Sequence, residues 1–227
     1  MGAEDTILDF DTAYAQAVAE EIGSVAVQAD VGDEAAVDAT MQNASEHLSD
    51  IARIAVSYAG VGMAARIIGR EGKPSSDVFE KTLRVNLFST YNVMTHAARR
   101  MMKLDPFDDS ERIMINNSAS VAYEDGHLGQ AAYAASKGAI ASMCLPAARK
   151  MAQSGIQIDA IAPGLFQTPM MEGSPPEISD KITTNIPFPV HLGMPEEYAL
   201  LAAQIVNNQF LNGTTIRLDG AVRLPPR

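Results

Sequence analysis

A tyrosine and a lysine four residues apart are the strongest candidates for chemistry in this sequence: Tyr133 and Lys137, in the stretch AAYAASKG. On a helix, side chains at this spacing lie on one face. A free tyrosine has a pKa of about 10 and is a poor base at neutral pH, but a neighbouring ammonium favours the phenolate and lowers that pKa. We therefore predict that Tyr133 exchanges a proton with an alcohol or carbonyl oxygen near neutral pH.

Two polar residues precede this pair. Ser120 lies thirteen residues before Tyr133, just past the apolar run IMIN, and could hydrogen-bond the same substrate oxygen. Asn86, in RVNLFSTYNV, is predicted in the middle of a helix, where an amide is usually a surface or packing residue. A YxxxK pair alone occurs by chance on many solvated helix faces. The order and spacing of the four residues together indicate an active site.

Short apolar runs alternate with helical patterns along the chain. The pattern predicts strands at 6–9, 25–28, 54–57, 113–116, 157–161 and 215–218, and helices at 12–22, 33–49, 76–103, 131–153 and 195–207. Apolar strands separated by helices predict an α/β fold with a doubly wound, mostly parallel, Rossmann-like sheet. Because no repeat or linker interrupts the pattern, residues 1–227 are predicted to form a single domain. The loop 165–190 follows a strand, where such folds place substrate lids.

The net charge of −11 argues against nucleic acid or a membrane as a partner, since both are bound through Lys and Arg. The small basic group Arg99, Arg100 and Lys103 is interpreted as a solvated helix end. The single cysteine, Cys144, has no Cys or His at metal-ligand spacing, so we predict a small core residue and no metal site. One unpaired cysteine fits a reducing compartment.

The set Asn86, Ser120, Tyr133 and Lys137, followed by IAPGLFQTPM, resembles the short-chain dehydrogenase/reductase family from Asp9 to the C-terminus. The stretches IPFPVHLGMPEEYALL and FLNGTTIRLDGAVR are most similar to the subgroup of type II 3-hydroxyacyl-CoA dehydrogenases. The resemblance implies an NAD-dependent oxidoreductase of fatty acid metabolism that interconverts 3-hydroxyacyl-CoA and 3-oxoacyl-CoA. It also implies a homo-oligomer, a tetramer.

The resemblance implies a role for each residue of this set. Tyr133 would be the general acid/base, Lys137 would lower its pKa and hold the nicotinamide ribose, and Ser120 would orient the substrate oxygen. Asn86 would hold a water that connects Lys137 to solvent. The other implied contacts are Asp30 and Val31 at the adenine, Tyr58, Ala59 and Gly60 along the cofactor, Pro163, Gly164, Phe166 and Thr168 at the nicotinamide, and Gln130 near the substrate.

Asp9 ends the first predicted strand and is the residue expected to determine whether the protein prefers NAD or NADP. Its carboxylate can accept hydrogen bonds from the ribose hydroxyls of adenosine and would repel a 2′-phosphate, which favours NAD over NADP. The alternative, an acid that caps helix 12–22, fits Asp11 better. The stretch GVGMAA matches a phosphate-loop pattern, but a lone match is weak, and the resemblance places it beside the cofactor instead.

The chain departs from the family in two places. Ser57 stands where the family usually has Asn, so we expect some local loosening. Strand 6–9 corresponds to the family's second strand, so we expect the first strand, its glycine-rich turn and the first helix to be absent from this sequence, about 25–30 residues. Strand 6–9 would then either lack its neighbour or close onto strand 54–57. We expect a cytoplasmic protein, or a mitochondrial one if a targeting peptide precedes this sequence.

Three interpretations remain open. The first, which we favour because the four-residue set is intact, is a dehydrogenase whose first segment is absent from this sequence. The second is a non-catalytic remnant that acts through the oligomer surfaces of helices 76–103 and 131–153. The third is a short-chain enzyme for a hydroxysteroid or a 3-oxoacyl-carrier-protein. Asp9 disfavours the last in part, because such reductases commonly use NADPH.

Overall fold

The computed structural model describes residues 4–48, 50–107, 109–168 and 183–224, and it has the predicted α/β fold. The strands are β1 (Thr6–Asp9), β2 (Val25–Gln28), β3 (Ile54–Ser57), β4 (Ile113–Ser118), β5 (Ile156–Pro163) and β6 (Thr215–Leu218). The pairs between these strands are all parallel. Four of the six have the predicted bounds, whereas β4 and β5 extend further, because their burial on both faces continues past the purely apolar run.

Seven α-helices are described: α1 (Thr12–Ile22), α2 (Glu34–His47), α3 (Ser76–Leu83), α4 (Ser89–Met101), α5 (Ala122–Asp125), α6 (Ala131–Met151) and α7 (Pro195–Val206). The predicted helix 76–103 is wrong as one element, because a π-helical turn, Arg84–Phe88, separates α3 from α4. The predicted helix 33–49 starts one residue later, since the Asp33 side chain accepts hydrogen bonds from two amides of the first turn and caps α2. The short helix α5 was not predicted. The interpretation of the basic group at the end of α4 as a solvated helix end is wrong for Arg100, whose side chain is only 12% exposed.

The strands form two hydrogen-bonded groups among the described residues. One is the pair β1–β2, and the other is a four-stranded sheet in the order β3-β4-β5-β6. The expected alternative in which strand 6–9 closes onto strand 54–57 is therefore not adopted. Val56 of β3 is 39% exposed, whereas β5, which has a neighbour on each side, is buried along nearly its whole length.

The core lies on both faces of β4 and β5. On one face α4 and α6 contribute apolar side chains such as Met94, Met101 and Ile140. Cys144 belongs to this cluster, as predicted for a small core residue, and burial raises the pKa of its thiol to about 12. On the other face α7 packs against the sheet through Ile205. The C-terminal ends of the strands are thereby held at one edge, where α/β folds place their ligands.

Two sequence interpretations can be checked directly against the backbone. No helix follows GVGMAA before Ser76, so this stretch lacks the helix N-terminus that a phosphate loop requires. Asp11 accepts hydrogen bonds from the amides of Ala13 and Tyr14 and caps α1, as predicted. Within the described part of the chain, no helix combines the length and apolar character needed to cross a membrane.

Candidate active site

The structure brings Ser120, Tyr133 and Lys137 together at the C-terminal edge of the sheet. Ser120 lies two residues beyond the end of β4, and the other two lie on α6. Lys137 is only 4% exposed, and its Nζ lies 5.8 Å from the centre of the Tyr133 ring. The Lys137 ammonium donates a hydrogen bond of 2.7 Å to the carbonyl oxygen of Ser118, which fixes it beneath the tyrosine.

Burial controls the protonation of this pair. It raises the pKa of the Tyr133 phenol, and a hydrogen bond with the Ser120 side chain acts in the opposite direction. It also lowers the pKa of Lys137 to about 8. The pKa of Tyr133 in the protein alone is therefore raised and not lowered as predicted, because desolvation outweighs the Ser120 hydrogen bond.

Asn86 occupies the π-helical turn between α3 and α4 and is fully buried. Its Oδ1 accepts a hydrogen bond from the Val61 amide (2.8 Å), and its Nδ2 donates to the Val61 carbonyl and to Ser136 Oγ (3.1 Å each). The Asn86 side chain thus joins the loop after β3 to α6 through hydrogen bonds, and it is not a surface amide. Turns of this kind are frequent at functional sites, but the predicted role of Asn86 in holding a water stays a prediction.

Gly60 passes directly over this cluster. A Cβ atom at this position would lie 3.4 Å from Asn86 Oδ1 and 3.7 Å from Lys137 Nζ. Both distances are at or within van der Waals contact, so the Gly60 backbone lies close to the buried amide and to the lysine. The structure therefore brings one of the residues predicted along the cofactor into contact with the predicted catalytic set.

Three aromatic side chains join the ends of β3 and β5. The rings of Tyr58 and Tyr198 meet edge to face at 5.4 Å, and those of Phe166 and Tyr198 at 6.0 Å. Tyr198, on α7, was not identified from the sequence as a site residue. The only available signal was its place in the subgroup stretch PEEYALL. Burial raises the pKa of its phenol above the ordinary tyrosine value.

Asp9 is the last residue of β1, and Asp30 lies two residues beyond the end of the adjacent parallel strand β2. The Asp9 carbonyl accepts a hydrogen bond from the Ala29 amide (2.9 Å), and one Asp9 carboxylate oxygen accepts from the Asp11 amide (2.8 Å). Asp30 Oδ1 accepts from the Gly32 amide (2.9 Å) and shapes the turn after β2, and Val31 is tied to α4 through Asn92. One oxygen of Asp9 remains available to a ligand.

The segment after β5 is fixed against β6 and the residues near Gly193. A Cβ at Gly164 would lie 2.8 Å from Asp219, so this close approach requires glycine. Phe166 pairs with Gly193 in an isolated bridge. Thr168 is the last residue before 169–182, and this part of the predicted lid lies outside the described residues. Gln130 Oε1 accepts a hydrogen bond from the His127 amide (2.9 Å), so its substrate contact stays a prediction.

Ser57 is buried at the end of β3. Its hydroxyl has no hydrogen-bond partner among the described residues. The Ser57 side chain therefore contributes no hydrogen bond at this strand end, and the expected local loosening stays a prediction. For metals, the described ranges contain no group of three His, Cys, Asp or Glu side chains that could hold an ion.

Arg217, on β6, forms ion pairs with the short helix α5, which follows Ser120. Its side chain is 16% exposed and forms ion pairs with three carboxylates: Glu124 (2.6 Å), Asp125 (2.6 Å) and Asp219 (2.8 Å). The sequence analysis missed this cluster, because about ninety residues separate Arg217 from α5 and no local pattern joins them. The cluster holds the segment between Ser120 and α6 in place.

We expect Arg217→Met to lower the free energy of unfolding by about 3 kcal/mol, because it leaves the carboxylates of Glu124 and Asp125 without their cation. Urea unfolding at neutral pH measures the change. Arg223→Met is the matched control: Arg223 pairs with Asp219 alone and its side chain is 62% exposed, so we expect a loss of about 0.5 kcal/mol. Equal losses in the two variants would contradict the account of Arg217.

Ser120, Tyr133 and Lys137 converge at the C-terminal edge of a parallel sheet, and such a set can exchange a proton with an alcohol or carbonyl oxygen. The family model described as "Enoyl-(Acyl carrier protein) reductase" matches residues 1–222, and the chain belongs to the short-chain dehydrogenase/reductase family. It is an oxidoreductase of the class that uses a nicotinamide cofactor and a small-molecule substrate.

Two curated relatives named 3-hydroxyacyl-CoA dehydrogenase type-2 are similar over 99% of this chain. The Homo sapiens protein is 39% identical, with 87% of its own length covered, and the Drosophila melanogaster protein is 38% identical, with 89% covered. The crystal structure of a protein of the same name from Mycobacterium avium superimposes with a TM-score of 0.93 at 36% identity, covering all of this chain and 88% of that one. The Homo sapiens (3R)-3-hydroxyacyl-CoA dehydrogenase is 29% identical over 97% of the chain.

Proposed function

We propose that this protein is an NAD-dependent dehydrogenase that interconverts 3-hydroxyacyl-CoA and 3-oxoacyl-CoA. The observation that carries the proposal is the convergence of Ser120, Tyr133 and Lys137, in a chain similar along 99% of its length to relatives of that name. Initial rates with a 3-hydroxyacyl-CoA, a hydroxysteroid and a 3-hydroxyacyl-carrier-protein test it. A kcat/KM highest for the CoA ester supports the proposal, and a higher value for either of the others would replace it with the third interpretation.

The described residues fit a dinucleotide at its two ends. Asp9 and Asp30 lie at neighbouring strand ends, where the adenosine would be held, and Gly60 has no side chain beside Lys137, where the nicotinamide ribose would be held. The bound cofactor would supply the acceptor for the hydride from the substrate carbon. Lys137, Gly60, Pro163 and Phe166 would hold its nicotinamide end.

Tyr133 would move the substrate proton. In the oxidation direction its phenolate takes the proton of the substrate hydroxyl, and Ser120 donates a hydrogen bond to the same oxygen. Since burial raises the Tyr133 pKa, the phenolate is scarce in the protein alone. A positive charge on Lys137, whose pKa of about 8 leaves it mostly protonated at neutral pH, is the available group that favours it.

For the cofactor we propose NAD over NADP, on the basis of the free Asp9 carboxylate oxygen. We expect Asp9→Ala to shift the ratio of kcat/KM for NADP to that for NAD by about tenfold in favour of NADP, because a 2′-phosphate no longer meets a like charge. Asp5→Ala, which removes an exposed acid before the other end of β1, is the control and should leave the ratio unchanged. An equal shift of this ratio in both variants would contradict the proposed role of Asp9 in selecting NAD.

A specific observation also favours a second candidate, the non-catalytic remnant: β1 and β2 share no strand pair with the four-stranded sheet. The two ends of the predicted cofactor site therefore rest on separate hydrogen-bonded groups. Calorimetric titration of this chain with NAD distinguishes the candidates. Saturable binding supports the dehydrogenase, and its absence supports the remnant.

We further propose a homotetramer built on α3, α4 and α6. Exposed apolar side chains on these elements, among them Phe79, Tyr91 and Leu145, support it, together with Phe88 of the intervening π turn. Sedimentation equilibrium tests the oligomeric state directly. A single species of about four times 24.2 kDa is expected, and a monomer at all concentrations would contradict the proposal.

A further inference from the structure

Tyr198 lies in the first turn of α7, at the carboxyl ends of three neighbouring strands. Its ring contacts the rings of Tyr58 and Phe166, which follow β3 and β5, and β4 lies between these two strands in the sheet. The strand β4 ends at Ser118, whose carbonyl oxygen accepts the hydrogen bond of Lys137. Tyr198 therefore lies beside the strand end that holds the Lys137 ammonium.

Phe166 is held by its backbone as well as by its ring. The amide of Gly193 donates a hydrogen bond to the carbonyl oxygen of Leu165, and its carbonyl accepts one from the Gln167 amide (2.8 Å each). A Cβ atom at Gly193 would lie 2.7 Å from two ring carbons of Phe166, so the ring packs directly on this backbone. The Phe166 ring is thus contacted both by Gly193, just before α7, and by Tyr198, within it.

The ring of Tyr198, and not its hydroxyl, carries these contacts. The hydroxyl is buried and forms no hydrogen bond of normal geometry among the described residues. The ring packs against the core cluster that contains Ile161 and Ile205. It also meets Tyr58, which is 57% exposed, edge to face, the arrangement that aromatic pairs prefer. A ring anchored in the core therefore restricts the orientation of one that faces outward.

We propose that Tyr198 is a positioning residue for the nicotinamide ring of the cofactor, because it holds Tyr58 and Phe166 together as one aromatic wall. This inference rests on the proposed dehydrogenase function, since both residues of the wall are predicted cofactor contacts. Hydride transfer requires the nicotinamide to lie at a fixed place beside the substrate carbon, and a wall that is ordered before binding lowers the cost of holding it there.

The proposal has a consequence that a general stabilising role does not have. The predicted adenosine contacts, Asp9 and Asp30, belong to the separate strand pair β1–β2 and its following turn. Tyr198 packs on the four-stranded sheet. Loss of the Tyr198 ring should therefore weaken the hold on the nicotinamide half of the cofactor and leave the adenosine half unchanged.

The test compares NAD with ADP-ribose, which has the same adenosine, diphosphate and second ribose but lacks the nicotinamide ring. Calorimetric titration gives the affinity for each ligand. We expect Tyr198→Leu to weaken NAD binding about tenfold and ADP-ribose binding less than about twofold, because it removes the two edge-to-face contacts that order the wall. A general loosening of the fold would weaken both ligands together.

Three further variants complete the test. Tyr198→Phe keeps the ring and should leave both affinities within about twofold. Gly193→Ala places a Cβ against the Phe166 ring without removing an aromatic group, so it should weaken NAD relative to ADP-ribose about threefold, and it serves if Tyr198→Leu does not fold. Phe210→Leu removes an aromatic ring that is 99% exposed, just after α7, and should change neither affinity.

A selective loss of NAD affinity in Tyr198→Leu or Gly193→Ala supports the proposal. An unchanged ratio of NAD to ADP-ribose affinity in the folded variants overturns it and leaves the proposed dehydrogenase function in place. An equal selective loss in Tyr198→Phe also overturns it, because the hydroxyl would then be the acting group. No binding of NAD by the unmodified protein overturns this inference together with the proposed function.

Discussion

Replacing Tyr133 by phenylalanine is expected to lower the rate of 3-hydroxyacyl-CoA oxidation by about 10³-fold and to leave the affinity for NAD nearly unchanged. The ring remains in place, so the packing at the start of α6 is kept, whereas the group that takes the substrate proton is gone. Single-turnover rates and calorimetric NAD affinities measure the two effects separately.

Tyr123→Phe is the matched control for this experiment. Tyr123 lies on α5, packs against the same core and also has a phenol whose pKa is raised by burial. It has no role in the proposed proton transfer, so its removal should change the rate less than twofold, a difference of about 0.4 kcal/mol. Retained turnover in Tyr133→Phe, or an equal loss in both variants, would show that another group is the base.

Replacing Lys137 by methionine is expected to abolish turnover and, in the same variant, to raise the free energy of unfolding at pH 7 by about 2 kcal/mol. Burial lowers the pKa of Lys137 from 10.5 to about 8, and that difference corresponds to about 3 kcal/mol against the charged form. The lost hydrogen bond to Ser118 offsets about 1 kcal/mol of the gain.

The sign of the pH dependence distinguishes this explanation from simple repacking. Below pH 8 the unfolded and folded chains both carry the proton, and the penalty for the buried charge is fully present. Between pH 8 and 10.5 the unfolded chain binds more protons, so the stability of the unmodified protein rises with pH and the advantage of the variant shrinks. Urea unfolding between pH 8 and 10.5 measures how the stability advantage of Lys137→Met changes with pH. Lys150→Met, which replaces an exposed lysine, is the control. An advantage that does not change with pH would contradict the account.

Local signals predicted much of this fold correctly. The cap at Asp11 and the apolar runs of the strands depend on neighbours within a few residues, and Cys144 was placed in the core by its apolar helical context. The four residues of the predicted active site were identified by order and spacing. The structure brings Ser120, Tyr133, Lys137 and Asn86 to one region without testing their roles.

Predictions from the sequence were wrong or incomplete where a feature depends on residues far apart in the chain. Asn86, in the π-helical turn, forms hydrogen bonds with Val61 and Ser136. These partners lie 25 and 50 residues away, so the residues next to Asn86 in the sequence give no sign of them. The direction of the Tyr133 pKa shift follows from burial, which depends on how the elements around Tyr133 pack. The burial of Arg100 depends on α2, which packs on it from about sixty residues away.

The most direct test of the central claim is isotope transfer from the substrate to the cofactor. The protein is incubated with NAD and 3-hydroxybutyryl-CoA that carries deuterium at C3, and the products are analysed by mass spectrometry. The account predicts one deuterium on the reduced nicotinamide for each 3-oxobutyryl-CoA formed. Unreduced NAD and unchanged substrate, at concentrations of both that saturate any binding, would contradict it.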